Sequence, residues 1–220
     1  MEASTAQPGR RFEREQRDPT AGTDAARVQF IPSPLADPGP LGLAAFAMTT
    51  FVLSMFNADL VGKGGEPVVL GLALAYGGLA QLLAGMWEFR TGNTFGAVAF
   101  TSFGAFWISF WALEQFWAKD IPAADLGHAV GLYLIAWGIF TTYMFIASLR
   151  TTAAIALVFI LLTITFIVLG IGDAGGSSGM TKLGGWLGLA TAAAAWYASF
   201  AGVTNATFGR VILPVRPLAR

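Results

Sequence analysis

The sequence is short of the residue types on which most soluble enzymes depend. It has no cysteine, one histidine and only 12% charged residues among 220. The absence of cysteine excludes disulfides and thiolate metal ligands. The formal net charge is zero, so the chain lacks the basic surface that nucleic acid requires. No hydrolytic triad, metal-ligand cluster or phosphate-binding loop can be found, so we expect no enzymatic activity, no cofactor, no metal site and no nucleic-acid partner.

Apolar residues are what the chain has in abundance. They make up 55% of it, with 27 glycines and a mean hydropathy of +0.62, values typical of a protein that crosses the membrane several times. Six apolar runs are each near the ~20 residues needed to span a bilayer. They cover residues 41–60, 68–87, 94–117, 126–149, 152–171 and 184–202. The sequence therefore predicts an all-α, six-transmembrane-helix bundle surrounded by lipid.

The runs differ in the kind of helix surface they predict. The second and sixth are rich in glycine and alanine, which allow helices to pack closely in lipid. The fifth is bulky, with few small residues over 155–169. We expect that helix to face lipid or a neighbouring subunit over much of its surface, and we expect a flexible glycine-rich break at 172–179.

The segments outside the runs predict domain limits and orientation. Residues 1–36 are charged and poor in apolar residues, which is typical of a disordered tail, 37–214 form the six-helix domain, and 215–220 form a short C-terminal tail. An even number of spans puts both ends on one side. That side carries arginines in both tails and Arg90 and Arg150, whereas the other carries Lys63, Lys119 and Lys182. The positive-inside rule then places both termini in the cytoplasm, and we expect a multi-pass protein of the plasma (inner) membrane.

The start of the first run has two interpretations. Pro40 suits an early helical position, and Asp37 lies just upstream, where a carboxylate favours the positive end of a helix. The motif is then only a helix-start signal. Alternatively, the helix N-terminus at Pro40, Leu41 and Gly42 receives an anion at the membrane face.

Polar side chains within the runs are uncharged. No Lys, Arg, Asp or Glu lies in the middle of a run, which argues against an ionic relay through the membrane. Thr50, Ser54 and Asn57 recur at helical spacing and form one polar stripe, which suits a small hydrogen-bonding solute. Single hydroxyls in a span often bond only their own helix. Further polar candidates are Thr49, Tyr76, Gln81 and Thr101.

Several aromatic residues lie well inside the runs rather than at the expected interfaces. They are Phe46, Phe100, Phe103, Phe106 and Trp107. Such residues serve ordinary packing in most bundles. The alternative is a dry constriction that gates by excluding water.

Taken in order, these segments resemble the acetate uptake transporter family, also called the succinate–acetate permeases. The resemblance runs from residue 38 to residue 214. The motifs that carry it are Pro40-Leu41-Gly42-Leu43, Phe46 with Met48-Thr49-Thr50, Tyr76-Gly77-Gly78, Ala80-Gln81, Glu88, Gly92-Asn93-Thr94-Phe95-Gly96, Ala99-Phe100-Thr101-Ser102, Phe106-Trp107 and Phe208-Gly209-Arg210.

The resemblance implies transport of acetate and related short carboxylates, with succinate in some members, by a homohexamer with a separate pore in each subunit. It adds Asn93 and Thr94 to the pathway, and Ala195 as a small pore-lining residue. It places the constriction at Phe46, Phe103 and Leu162, where the family has Phe, Tyr and Leu. Two departures stand out, because Phe103 replaces that Tyr and Asp37 replaces an Asn.

A dry constriction favours passage of the neutral acid. Moving a carboxylate into a low dielectric costs of order 20 kcal/mol by the Born estimate, and several after relaxation. Protonating a carboxylate of pKa roughly 4 at pH 7 costs about 4 kcal/mol. We therefore expect proton-linked transport in which the substrate carries the proton. A passive acetate anion channel is the alternative, and a non-transporting membrane sensor or scaffold is the third interpretation.

Overall fold

A computed structural model describes residues 35–218. Almost all of the predicted tail over 1–36, and the last two residues of the predicted tail over 215–220, lie outside the described residues. Within them, six helices are long and apolar enough to cross a membrane, so the predicted all-α, six-helix fold is confirmed. The helices are α1 Gly39–Asn57, α2 Val68–Thr91, α3 Thr94–Asp120, α4 Ala123–Ser148, α5 Ala153–Ala174 and α6 Ser178–Phe208.

Four of the six helices begin where a side chain accepts a hydrogen bond from one of their first amides. The Gly39 amide donates to Oδ1 of Asp37 at 2.8 Å, which places a carboxylate at the positive end of α1. The same capping opens three later helices, because free N–H groups at a helix start need acceptors. Asn93, Thr152 and Ser177 are the caps of α3, α5 and α6.

Glycines set the distance between α1 and α6, which pack along each other. An ideal Cβ placed on Gly185 would lie 2.6 Å from the carbonyl carbon of Asn57, and one on Gly188 would collide with the Ser54 hydroxyl. Side chains larger than hydrogen would separate the two helices. The close approach brings Ser54, in the polar stripe of α1, against Gly188 of α6.

Two wide π-helical turns interrupt the regular winding of α2 and α3. They cover Ala75–Ala80 and Leu113–Trp117. Such turns are rare and often occur at functional sites. Gln81 follows the first turn and Glu114 lies within the second, and both side chains line cavities described below.

The last two helices agree only in part with the sequence expectations. One side of helix α5 is packed into the bundle, with Val158, Phe159, Leu162 and Phe166 all buried. These bulky side chains fill the centre of the bundle. The opposite side is exposed at Leu157, Ile164, Ile167 and Ile171, so only that side can face lipid or a neighbouring subunit, as expected for much of the helix. The predicted break at 172–179 shrinks to three residues between α5 and α6, and α6 extends well beyond 184–202 in both directions.

Helix α4 is the least buried of the six spans. Leu132, Ile139, Tyr143 and Ile146 on this helix are more than half exposed. A membrane helix needs apolar residues on its lipid side as well as in its core. The bilayer or another protein surface therefore covers this side of the bundle.

The last described residues fold back onto the bundle. The amides of Ala153 and Ala154 at the start of α5 donate to the carbonyls of Arg216 and Val215 at 2.8 and 3.3 Å. Asn205 holds the same segment by donating to the Leu213 carbonyl at 2.8 Å. We call residues 213–218 the C-terminal strap. It supplies acceptors that the first turn of α5 requires.

Two faces of the bundle are used below. The terminal face carries the start of α1, the α2–α3 and α4–α5 connections and the C-terminal strap. The loop face carries the α1–α2, α3–α4 and α5–α6 connections.

Candidate transport pathway

A cavity of about 490 Å³ lies in the half of the bundle nearer the loop face, and all six helices contribute to its wall. We call it the vestibule. Its wall includes the complete polar stripe of α1, formed by Thr50, Ser54 and Asn57. The predicted spacing therefore brings three polar side chains to one continuous cavity surface.

A second, much smaller cavity of about 20 Å³ lies beyond the vestibule. Its wall includes Gln81 and Phe103. The side chains of Phe46 and Leu162 line both cavities, so they form the partition between them. We call Phe46, Phe103 and Leu162 the neck.

The neck is apolar and closely packed. The ring of Phe46 lies 5.9 Å from that of Phe103, and Phe103 in turn packs against Phe140 at 5.4 Å and stacks on Phe166 at 6.3 Å. All three neck side chains are buried. A surface of rings and a leucine offers water no hydrogen bond, which is the physical requirement for a dry constriction.

The chain matches the model of the GPR1/FUN34/yaaH family over residues 22–220. It belongs to this family. A relative from Saccharomyces cerevisiae named ammonia transport outward protein 2 is 44% identical over 86% of this chain and 70% of its own length. The succinate-acetate/proton symporter SatP of Escherichia coli is 39% identical over 82% of this chain and 95% of its own length.

A solved structure of a family member supports the fold. The structure of the bacterial acetate channel SatP matches with a TM-score of 0.77 and 39% identity, over 82% of this chain and 99% of that chain. The resemblance inferred from the motifs is therefore confirmed. The six apolar helices and these relatives identify a multi-pass membrane protein whose relatives are transporters and channels.

The family's motif at the start of α1 is occupied by contacts within the chain. The carbonyl oxygen of Pro40 accepts a hydrogen bond from the Ser199 hydroxyl at 2.7 Å. Leu41 is half exposed, and Gly42 packs against the ring of Phe100. The Gly39 amide is already bonded to Asp37. These contacts account for the motif as a helix start packed on its neighbours.

The other predicted pathway residues lie away from both cavity walls. Thr49 donates to the Ala45 carbonyl at 3.0 Å, and Asn93 accepts from the Gly96 amide at 3.1 Å. Tyr76 is half-buried and Thr94 is exposed, Ala195 is in the core, and Thr101 packs on Gly85. Helix capping and packing account for most of these positions.

A buried carboxyl group lies near the terminal face, at Glu88, a residue that belongs to the family resemblance but was not predicted to line the pathway. Glu88 is only 2% exposed, and its Oε2 accepts from the Thr91 hydroxyl at 3.1 Å. Its other oxygen would lie 3.5 Å from a Cβ on Gly39 and 2.6 Å from one on Gly96. Since these glycines lie at the starts of α1 and α3, the Glu88 carboxyl group lies against the N-terminal ends of two helices.

Charged residues surround the vestibule at the loop face. Glu66, Glu114 and Asp173 line it together with Lys63. In the sequence, all four lie at or near the loop-face ends of the spans. Their shared cavity could not be inferred, because they come from three separate parts of the chain.

An ion pair joins two helices at the loop face. Nζ of Lys182 lies 2.6 Å from Oδ2 of Asp59. The hydrogen bond from Lys182, and then its positive charge, lower the pKa of Asp59 below its usual value. The pair links the end of α1 to the start of α6, at the same two helices whose glycines pack closely.

Proposed function

We propose that this chain transports acetate and related short carboxylates, including succinate, through the vestibule, the neck and the smaller cavity. The observation that carries the proposal is that two cavities meet at Phe46 and Leu162, one of them lined by the polar stripe. Relatives named for succinate, acetate and proton transport support the same substrate class. A hydrated carboxylate enters the vestibule, where hydroxyl and amide groups replace part of its hydration.

The neck makes proton-linked transport the favoured mechanism. It offers no cation to hold a carboxylate, so the anion there carries a desolvation penalty of several kcal/mol even after relaxation. The neutral acid requires only about 4 kcal/mol at pH 7 for protonation. Substrate and proton then cross together, and no protein side chain has to carry the proton through the neck.

The test is uptake of radiolabelled acetate into proteoliposomes. Succinate, formate, lactate and propionate serve as competitors, and ammonium is added because one relative is named for ammonia transport. A pH-sensitive dye inside the vesicles reports proton movement, and the reversal potential separates proton-linked transport from a passive anion channel. Protein-free liposomes correct for direct diffusion of acetic acid.

The expected result is protein-dependent acetate uptake that brings protons with it and is inhibited by short carboxylates. A current that follows the acetate gradient without proton movement would favour the passive anion channel over symport. If the protein caused no acetate flux, and Phe46→Ala behaved like wild type in the same assay, the non-transporting sensor or scaffold would be the remaining interpretation.

Orientation and assembly complete the proposal. We place both termini in the cytoplasm of a cell bounded by the plasma (inner) membrane, and we propose a homohexamer from the family resemblance. The chain has no cysteine, so single cysteines at the exposed positions Ala36 and Gly179 can be labelled separately by an impermeant maleimide in intact cells. Labelling at Gly179 alone supports the orientation, and the mass of the detergent-purified complex tests the hexamer.

A further inference from the structure

Trp107 carries a hydrogen-bond donor that the fold does not use. Its side chain is 2% exposed, and its Nε1 has no partner within residues 35–218. The ring is fixed edge-on against Phe106 and Phe110, at 5.0 and 6.0 Å. Because an indole N–H can only donate, it requires an acceptor from outside these side chains. Trp107 lines the vestibule, so such an acceptor has room to approach.

Thr50 is a second buried polar group without a partner. Its side chain is 6% exposed, and its hydroxyl has no hydrogen bond in the described part of the chain. Other buried threonines bond the carbonyl four residues earlier, as Thr163 does to Phe159 and Thr191 does to Leu187, both at 2.8 Å. Thr50 does not use this local bond, and it too lines the vestibule.

The two groups lie at the same depth relative to the neck. Thr50 follows Phe46 by four residues, and Trp107 follows Phe103 by four, which is about one helical turn in each case. Helices α1 and α3 both run from the terminal face to the loop face. Both donors are therefore one turn from the neck on its vestibule side, where a substrate waits before crossing.

A carboxyl group carries the acceptors that both donors lack. It has two oxygens on one carbon, each able to accept a hydrogen bond. A buried donor left without a partner costs about 1–3 kcal/mol. Among residues 35–218, the one basic side chain on the vestibule wall is Lys63, which lies among acidic residues at the rim. Recognition next to the neck therefore relies on neutral donors, which can hold a carboxyl group in either protonation state.

We propose that Trp107 Nε1–H and the Thr50 hydroxyl form a carboxyl-binding subsite on the vestibule side of the neck. This inference rests on the proposed function and assigns a residue, Trp107, to substrate recognition. The subsite positions the carboxyl group of a short acid immediately before the neck. Trp107 is a binding residue in this scheme, and its ring also forms part of the wall beside Phe106.

Transport kinetics test the subsite with variants that retain shape. Trp107→Phe removes the N–H and keeps an aromatic ring, and Thr50→Val removes the hydroxyl at nearly constant volume. Each is expected to raise the KM for acetate about three- to tenfold, the effect of one lost hydrogen bond, with little change in maximal rate. Thr50→Ser keeps the hydroxyl and is expected to retain the wild-type KM.

Trp111→Phe is the matched control. Trp111 lies one turn further along α3 and packs against Phe116 at 5.4 Å, outside the vestibule wall. Its KM is expected to stay at the wild-type value. Equal KM values for Trp107→Phe, Thr50→Val and wild type, in protein that elutes as one folded species, would overturn the proposal.

A direct measurement does not depend on a variant being active. In protein labelled with ¹⁵N-tryptophan, acetate is expected to shift the Trp107 indole N–H signal, saturably, while chloride at equal ionic strength does not. The signal is assigned by its absence in Trp107→Phe, or, if that variant fails to fold, in Trp107→Tyr. A wild-type protein that transports acetate while this signal stays unmoved would show that only water bonds Trp107. That result would overturn the subsite and leave the proposed function intact. If the wild-type protein did not transport acetate at all, the proposed function itself would be overturned.

Discussion

Replacing Phe46 by alanine opens the partition between the two cavities. Phe46 lines both cavities, and its ring lies 5.9 Å from the ring of Phe103. Truncating a buried Phe to Ala costs about 3–5 kcal/mol where the space stays unfilled. Here the new space adjoins a vestibule of about 490 Å³, so water can enter and the destabilisation should fall below that range.

Hydration of the neck changes which species crosses. In wild type, the neutral fraction of a weak acid falls tenfold for each pH unit above its pKa, equivalent to about 1.4 kcal/mol per unit. Uptake at fixed total acetate should therefore fall about 10³-fold from pH 5 to pH 8. In Phe46→Ala the anion keeps part of its hydration and no longer needs the proton. We expect that ratio to shrink to about tenfold or less, with an acetate current at pH 8.

The assay combines uptake between pH 5 and pH 8 with current measurement in planar bilayers. Phe51→Ala is the control, since Phe51 is on the same helix and its ring packs against Trp196 at 5.1 Å, outside both cavity walls. It should keep the wild-type pH dependence. A folded Phe46→Ala protein with unchanged pH dependence and no current would refute the gating argument. An anion current already present in wild type at pH 8 would refute the neutral-acid mechanism.

Three further changes test local parts of the structure. Asp37→Asn should change the free energy of unfolding by less than about 0.5 kcal/mol, because Asn also caps helices. Acetate uptake by this variant should exceed that of wild type in ~10 mM salt, where the Debye length is about 30 Å. The gain should disappear in ~150 mM salt, where the Debye length is about 8 Å. Gly185→Ala should destabilise the protein by about 1–3 kcal/mol, because a Cβ there meets the α1 backbone. Gly71→Ala, in open space, should not lower the thermal unfolding midpoint in detergent, because alanine favours a helix over glycine. Lys182→Met should lower stability slightly at neutral pH, because it removes the partner that lowers the pKa of Asp59. The stability from this lowered pKa is present above the unfolded-state pKa and is lost as the pH falls through the folded-state pKa. If wild type and Lys182→Met differed in unfolding midpoint by the same amount at about pH 7 and about pH 2.5, this argument would be contradicted.

Features repeated along one helix were predictable from the sequence. The spacing of Thr50, Ser54 and Asn57 predicts a common face without knowledge of any neighbour, and all three line the vestibule. The six spans were predictable for a similar reason, since length and hydropathy are properties of single segments. The neck triad depended on the family resemblance, because nothing in the spacing links Phe46 to Leu162.

Features that depend on which helices pack against each other could not be predicted from the sequence of one segment. The sequence could not indicate which side of helix α5 packs into the core, because an apolar side chain serves equally well against lipid and against protein. The position of Glu88 depends on where α2 ends relative to Gly39 and Gly96. The unpartnered N–H of Trp107 is visible only when all of its neighbours are known.

The C-terminal strap has a consequence for biosynthesis and for protein engineering. Helix α5, which carries Leu162 of the neck, emerges from the ribosome before residues 213–218 exist, so the amides of Ala153 and Ala154 acquire the acceptors seen in the fold only near the end of translation. Until then the membrane insertion of α5 proceeds with its first turn exposed to headgroups and water. Affinity tags joined close to Leu218, or truncations before it, therefore act on the start of a helix that lines the vestibule rather than on a dispensable end.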